Sequence, residues 1–333
     1  MDDTIVRVNV QLDFVRALKP GEAVLVDWTA ERYHADTETI SRSQLEDLRA
    51  SPQLFYQRHV ERSLPSEPPS PAMQLGTYVH LAVLEPEEWR RRLYQPKPVR
   101  PANADGRRKA GTPERDAYEA WVDDLEDWHA TRPADAIELD QDGIAKVEAM
   151  ARAVREHPFA SMILADEGGN EQTVLWRPAI EPMAQLLEQA DLDPCLAESM
   201  PVIRLRVDGL RRIDETTLAV LDLKTTQDPC PGSFGASIAR YGYHRQGAIY
   251  IDGVQALFPG QWLHFFFCAV RSRPPYEAAC YEIDPNDLAL GRAQYMATLR
   301  DYLRRQAEGD WLAEWQRTCK GINMPGWAHH QES

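Results

Sequence analysis

Lysine is scarce in this chain of 333 residues: it stands only at Lys19, Lys97, Lys109, Lys146, Lys224 and Lys320, and arginine supplies the rest of the 37 basic residues. With 52 acidic residues the formal charge is −15. Such an acidic average surface excludes non-specific nucleic-acid binding through the whole surface, though not through a locally basic groove. The arginines do cluster, at Arg90, Arg91 and Arg92, at Arg107 and Arg108, and at Arg204, Arg206, Arg211 and Arg212. Closely spaced cysteines are also lacking. The five present, Cys195, Cys230, Cys268, Cys280 and Cys319, are far apart and odd in number. Neither a zinc ribbon nor a disulfide framework fits that pattern, and a reducing cytoplasm is the expected compartment. No apolar run approaches the length that spans a membrane; "WLHFFFCAV" is strand-sized. The opening "MDDTIVRVNVQ" carries acids and no apolar core, so it does not read as a secretory signal.

What is present is 43% apolar residues, enough for a sizeable core in one large domain or two ordinary ones. Residues 1–36 have mixed patterning and read as an N-terminal extension. In "SRSQLEDL", Ser43 and Glu46 stand at capping-box spacing and predict a helix start, continued through "SPQLFYQRHV". The proline-rich "SLPSEPPSPAM" reads as a loop. Leu75, Val79 and Ala82 then recur at helical spacing. A polar loop is expected over 97–113, with helices near 114–130 and 141–157. The period then changes. "EQTVLWRP" reads as a strand, and 179–200 as an acidic, irregular insertion. "VIRLRVDGL" alternates, with Ile203, Leu205 and Val207 on one face and Arg204, Arg206 and Asp208 on the other. "TLAVLDLKTT" is a second strand, "SIARYGYHRQGAIYIDGVQ" one helix, "QWLHFFFCAV" and "YEAACYEI" two more strands, and about 285–308 a long helix. This order predicts an α/β or α+β fold, a central mixed sheet flanked by helices.

The chemistry concentrates where two strands flank the turn cluster "IDETT". A hairpin centred near Glu215 sets Ile213 against Thr217 and Asp208 against Asp222. Directly opposed carboxylates have Cβ atoms roughly 4.5–5.5 Å apart and repel. A divalent cation would remove the conflict, and hard oxygen ligands suit Mg²⁺ or Mn²⁺. Lys224, two residues after Asp222, shares its face and could orient a water or neutralise a phosphate. D-x-K alone occurs by chance about once in a chain of this length, and a structural ion pair is the plain alternative. A lone helical histidine such as His80 is more often a satisfied or surface residue. Glu171 reads better as an exposed strand-start glutamate, and Tyr241 and Tyr243 as core or groove wall. The pair Arg204 and Arg206 could hold phosphate or pair with the acids of the insertion.

The run "VDGL…VLDLKTT…YGYHRQGAIYIDG" resembles the PD-(D/E)XK nuclease superfamily, and within it the RecE-type exonuclease VIII group of phages and prophages, distantly similar to the phage lambda exonuclease. "ISRSQLEDLRASPQLFYQRHV", "LGTYVHLAVLEP", "RRKAGTPERDAYEAW", "HPFASMILADEGGNEQTVLW" and "AEGDWLAEW" fit in the same order, so the resemblance covers roughly 33–318. It implies a restriction-endonuclease-like core over 37–333. Asp208 would be the first acidic metal ligand, Asp222 and Lys224 the D-x-K pair, the Leu223 carbonyl a further ligand, and His80 the ligand completing the site from a helix; the resemblance also allows Glu171 a place near the metals, against the preferred exposed reading. Gln246 and Tyr250 match a Q-x-x-x-Y signature; four apart, they share a helix face and could contact DNA backbone or position the lysine. The insertion at 179–200 and Val207 in place of proline depart from the pattern. The implied activity is Mg²⁺-dependent 5′–3′ digestion of linear double-stranded DNA, leaving 3′ single strands. The implied partners are duplex ends, a single-strand annealing protein and copies of the chain in a ring, in the cytoplasm of a bacterial or phage-infected bacterial cell, with no membrane association expected. An iron–sulfur nuclease is excluded by the cysteine spacing. A non-catalytic DNA-binding or DNA-mimicking protein on a nuclease fold, and a restriction-type endonuclease, remain the rival readings.

Overall fold

The computed structural model describes residues 15, 17–65, 67–94, 97–164, 170–319 and 321–323. The start of the expected N-terminal extension and the centre of "HPFASMILADEGGNEQTVLW" lie outside the described residues. The chain runs β1 (Ala23–Val26), α1 (Ala30–Ala35), β2 (Ile40–Ser41), α2 (Arg42–Ala50), α3 (Pro52–Phe55), a π-helical turn (Tyr56–Val60), α4 (Pro71–Leu84), α5 (Pro86–Arg92) and β3 (Leu93–Tyr94). It continues through α6 (Pro113–Thr131), β4 (Ile137–Glu138), α7 (Gln141–Glu156), α8 (Pro158–Leu164), β5 (Asn170–Trp176), α9 (Ile180–Glu188), a 3₁₀ turn (Pro194–Ser199), β6 (Ile203–Arg212) and β7 (Thr217–Thr226). The last elements are α10 (Pro231–Tyr241), α11 (Tyr243–Leu257), β8 (Trp262–Arg271), β9 (Ala278–Glu282), α12 (Pro285–Glu308) and α13 (Glu314–Arg317).

The central sheet has the order β1-β5-β6-β7-β8-β9, with β2 beside β6. It is mixed: β7 and β8 are parallel, joined through α10 and α11, and the other neighbours on that path are antiparallel. One face carries Val174, Leu205, Val220, Phe265 and Phe267 and packs on α11, α12, α2 and α9. The opposite face carries Ala219, Leu221, Leu223 and Cys268 and packs on α4, α7 and α8. Helices thus cover both faces, as the alternation of strand residues requires. Removing a fully buried ring such as Phe267 from such a core costs about 3–5 kcal/mol. Among the described residues no helix is long and apolar enough to cross a membrane.

Several expectations change. β1 pairs antiparallel with β5, Ala23 against Trp176, so this stretch of the expected extension is a strand of the central sheet. The cap of α2 is Ser41, bonded reciprocally with Gln44, two residues before the predicted Ser43 and Glu46. The acidic insertion is ordered: α9 buries Met183 and Leu187, and the 3₁₀ turn buries Ala197, in the core shared with α12. The single helix expected around Tyr241 is two. Gly242 adopts φ +67, the left-handed conformation that stops α10 and redirects the chain into α11. Gly291 of α12 serves a different need, because a Cβ there would lie 2.3 Å from the His244 carbonyl oxygen. It lets α12 approach α11 closely.

Candidate metal centre and active site

The hairpin register is the one that the turn position implies. Ile213 N–H donates to Thr217 O, and the ladder runs from Arg212–Leu218 to Gly209–Leu221. One step further, Asp208 stands level with Asp222. The strict alternation expected for β6 breaks there: Val207 and Leu210, three residues apart, join the same core. At the break Asp208 Oδ2 accepts the backbone N–H of Leu223 at 2.7 Å, a side chain replacing a ladder bond. On the other side, Asn170 pairs with Gly209 and Gln172 with Val207, which sets Glu171 level with Asp208. Glu171 has φ +53, a strained conformation for a residue with a Cβ. Three neighbouring strands therefore bring three carboxylates to one point.

His80 arrives from α4, which Ser70 caps and Pro71 starts. Its Nε2 lies 2.8 Å from the Leu223 carbonyl oxygen. A carbonyl only accepts, so Nε2 carries the proton and Nδ1 is left with its lone pair. Nδ1 is 3.5 Å from Asp208 Oδ2. His80, Glu171 and Asp208 each offer one ligand atom, all within 4.8 Å of one another.

Asp222 stands beside this trio, almost fully buried at 1% exposure. Its Oδ1 accepts from Gln246 Nε2 at 2.6 Å. Its Oδ2 forms an ion pair with Lys224 but lacks an aligned hydrogen-bond donor among the described residues. The expected ligand set named Asp222 where the close trio has Glu171. Gln246 and Tyr250 are both buried. Gln246 holds Asp222, whose other oxygen pairs with Lys224; with both residues buried, a direct contact of either with DNA backbone is not what this arrangement offers. Arg206 pairs with Glu171 and donates to Trp28 O. Arg204 is buried against Asp36 and Thr39. Among the described residues both arginines are engaged by these partners and neither meets the insertion.

The electrostatics mark excess negative charge. Burial, then the Asp222 carboxylate, pushes Asp208 from 3.8 up to about 7. Burial, then Asp208, raises Glu171. Burial, then the Lys224 charge, lowers His80 and favours the neutral imidazole. A divalent cation fits these residues. The trio supplies one imidazole nitrogen and two carboxylate oxygens, the strain in the cluster is removed by positive charge, and Asp222 Oδ2 is a buried acceptor without an aligned donor. The Nε2–H bond to Leu223 O fixes the tautomer, as is usual for ligating histidines. The Leu223 carbonyl keeps a second lone pair.

Glu171, read as an exposed strand-start residue in preference to a place near the metals, stands in the trio with its side chain mostly covered. The resemblance was the signal that pointed there; the φ of +53 at this residue is not readable from its neighbours in sequence.

Residues 204–320 match the model of a family described as a PDDEXK-like domain of unknown function. That stretch holds Asp208, Asp222, Leu223, Lys224, Gln246 and Tyr250, and the mixed sheet with helices on both faces is of the kind that this description names. No curated protein matches the chain. Among solved structures, the chain is similar to one described as "Putative exonuclease" from Eubacterium rectale, at 16% identity and a TM-score of 0.49, over 90% of this chain and 96% of that one. It is also similar to the protein SSO0001, at 12% identity and a TM-score of 0.27, over 71% of this chain and 87% of that one.

Proposed function

We propose that this protein is a divalent-metal-dependent nuclease that hydrolyses phosphodiester bonds of linear double-stranded DNA from its ends. The observation that carries the reading is the convergence of Asp208, Asp222 and Lys224 from two adjacent strands with His80 from a helix, inside a stretch matching a PDDEXK-like family model. Mg²⁺ or Mn²⁺, held by His80, Asp208 and Glu171 with Asp222 and the Leu223 carbonyl adjoining, would lower the pKa of water and neutralise phosphate charge. The chain's own residues do the rest. Lys224 presents an ammonium to the phosphate oxygens and to the attacking water. Asp222 sets the direction of that ammonium, and Gln246 holds Asp222 through its other oxygen. His80 Nε2–H ties α4 to the β7 backbone, so helix and sheet keep their spacing at the site.

The resemblance to RecE-type enzymes supports the finer reading: 5′–3′ polarity, 3′ single-stranded products, a single-strand annealing protein as partner and a ring of identical subunits around the duplex. A ring would reconcile the charge of −15 with a DNA substrate, because only its channel need be basic. The test is digestion of end-labelled linear duplex beside closed circular duplex, with Mg²⁺ and with chelator. Loss of the linear substrate alone, only with Mg²⁺, is expected. Cutting of circles would indicate a restriction-type endonuclease, and binding without cutting a non-catalytic DNA-binding protein.

A further inference from the structure

The mouth of the site carries an aromatic pair that the proposed chemistry does not use. Tyr243 opens α11 and packs against Phe267, ring centres 5.9 Å apart. Lys224 Nζ lies 4.9 Å from its ring centre. Tyr241, at the end of α10, has its ring 5.6 Å from that of Tyr243 at an interplanar angle of 32°. Unlike its neighbour it is 52% exposed. The turn that presents it is held from below. Arg42 Nη2 donates to the carbonyls of Tyr241 and Gly242, at 2.5 and 3.2 Å. A Cβ at Gly242 would come within 1.9 Å of Arg245 Nη2, and that guanidinium is pinned to Glu46 at 2.6 Å. An exposed ring fixed by two helices has little freedom left to lose on binding. Above it, the exposed Arg240 guanidinium lies 5.6 Å from the Tyr241 ring centre.

We propose that Tyr241 is a stacking platform for a nucleobase of the strand being cut; the proposal rests on the nuclease reading above. The separations of 5.6 and 4.9 Å put the Tyr241 ring at most about 10.5 Å from Lys224 Nζ. Stacked nucleotides rise about 3.4 Å each along a strand, so the base belongs to a nucleotide within three of the phosphate that Lys224 meets. Every base has a π face, so the platform is indifferent to sequence, as an enzyme that removes successive nucleotides requires. The stacked base takes the place that the Arg240 guanidinium now fills, and that cation is then positioned for the neighbouring phosphate. A core role does not account for Tyr241, because half of the residue is in solvent, and a merely structural turn would not need an aromatic ring on its open side.

The test is equilibrium binding in chelator, where no strand is cut. The probe is a linear duplex with a short single-stranded end carrying the fluorescent base 2-aminopurine, moved in turn through the terminal positions. Wild-type protein should quench the probe at one of them. Tyr241→Ala should abolish the quench and weaken binding about 5- to 150-fold, the usual worth of one base–aromatic stack. Tyr241→Phe should retain both. An abasic site at that position should weaken wild-type binding and weaken Tyr241→Ala no further. Unchanged quenching and affinity in Tyr241→Ala, or penalties of the variant and the abasic site that simply add, would overturn the proposal. If wild-type protein quenches the probe in this way yet never cuts duplex with Mg²⁺, it is the nuclease reading that fails.

Discussion

Replacing Asp208 by asparagine separates the electrostatic account from a plain packing account. Asparagine keeps an oxygen for the Leu223 N–H that Asp208 Oδ2 accepts at 2.7 Å, and it mimics the protonated acid. Asp208 is raised from 3.8 to about 7, so between those values the native protein holds a proton that the unfolded chain has released. Stability contributed by this group therefore falls as pH rises from about 4 to about 7 and levels off above that. At about 1.4 kcal/mol per unit the full penalty is about 4 kcal/mol. Glu171 is raised beside Asp208, and removing one charge eases the other, so about 1–3 kcal/mol is the gain expected for Asp208→Asn. His80, lowered in the fold, contributes the opposite slope near its ordinary value, but it does so in both proteins. The assay is denaturant unfolding in chelator from pH 5 to pH 8. The variant should already be the more stable at pH 5, by somewhat under half of the full gain, and should reach the full gain by pH 8. Mg²⁺ should then stabilise wild type and leave the variant unmoved. A variant less stable than wild type at pH 8, or one that gains as much from Mg²⁺, would refute the reasoning.

Three other substitutions probe the neighbours. Glu171→Gln should lose Mg²⁺-induced stabilisation, read by the thermal midpoint with and without the ion, because Glu171 belongs to the ligand trio; an undiminished shift would remove it from the site. Gln246→Ala leaves Asp222 Oδ1 without its 2.6 Å donor, and should cost about 1–3 kcal/mol in urea unfolding while slowing DNA digestion more than it weakens DNA binding. Gly242→Ala forces a Cβ into the Arg245 guanidinium at φ +67, and should destabilise by at least about 1 kcal/mol; a neutral result would show that the turn is not fixed as described.

The strands and long helices were legible because their signals are local. The apolar run of β7 and caps such as Pro285 after Asp284 are written in adjacent residues. The hairpin register followed from the turn, which placed Asp208 level with Asp222. What was not legible depended on distant partners. Ser43 and Glu46 offered capping-box spacing, yet Ser41 caps with Gln44, because β2 ends there, parallel to β6. Gly242 reads as tolerable within a helix until Arg42 and Arg245 are seen around it. The break of β6 at Asp208 and the backbone of Glu171 were hidden for the same reason: each is a local distortion that only the neighbouring strand imposes.

The most direct measurement is release of nucleotide from end-labelled linear duplex by wild type, Asp222→Ala and Lys224→Ala in the presence of Mg²⁺, with folding of each variant checked by its unfolding curve. Wild type should digest the duplex and both variants should be inactive while folded. Full activity in either folded variant would contradict the site described here.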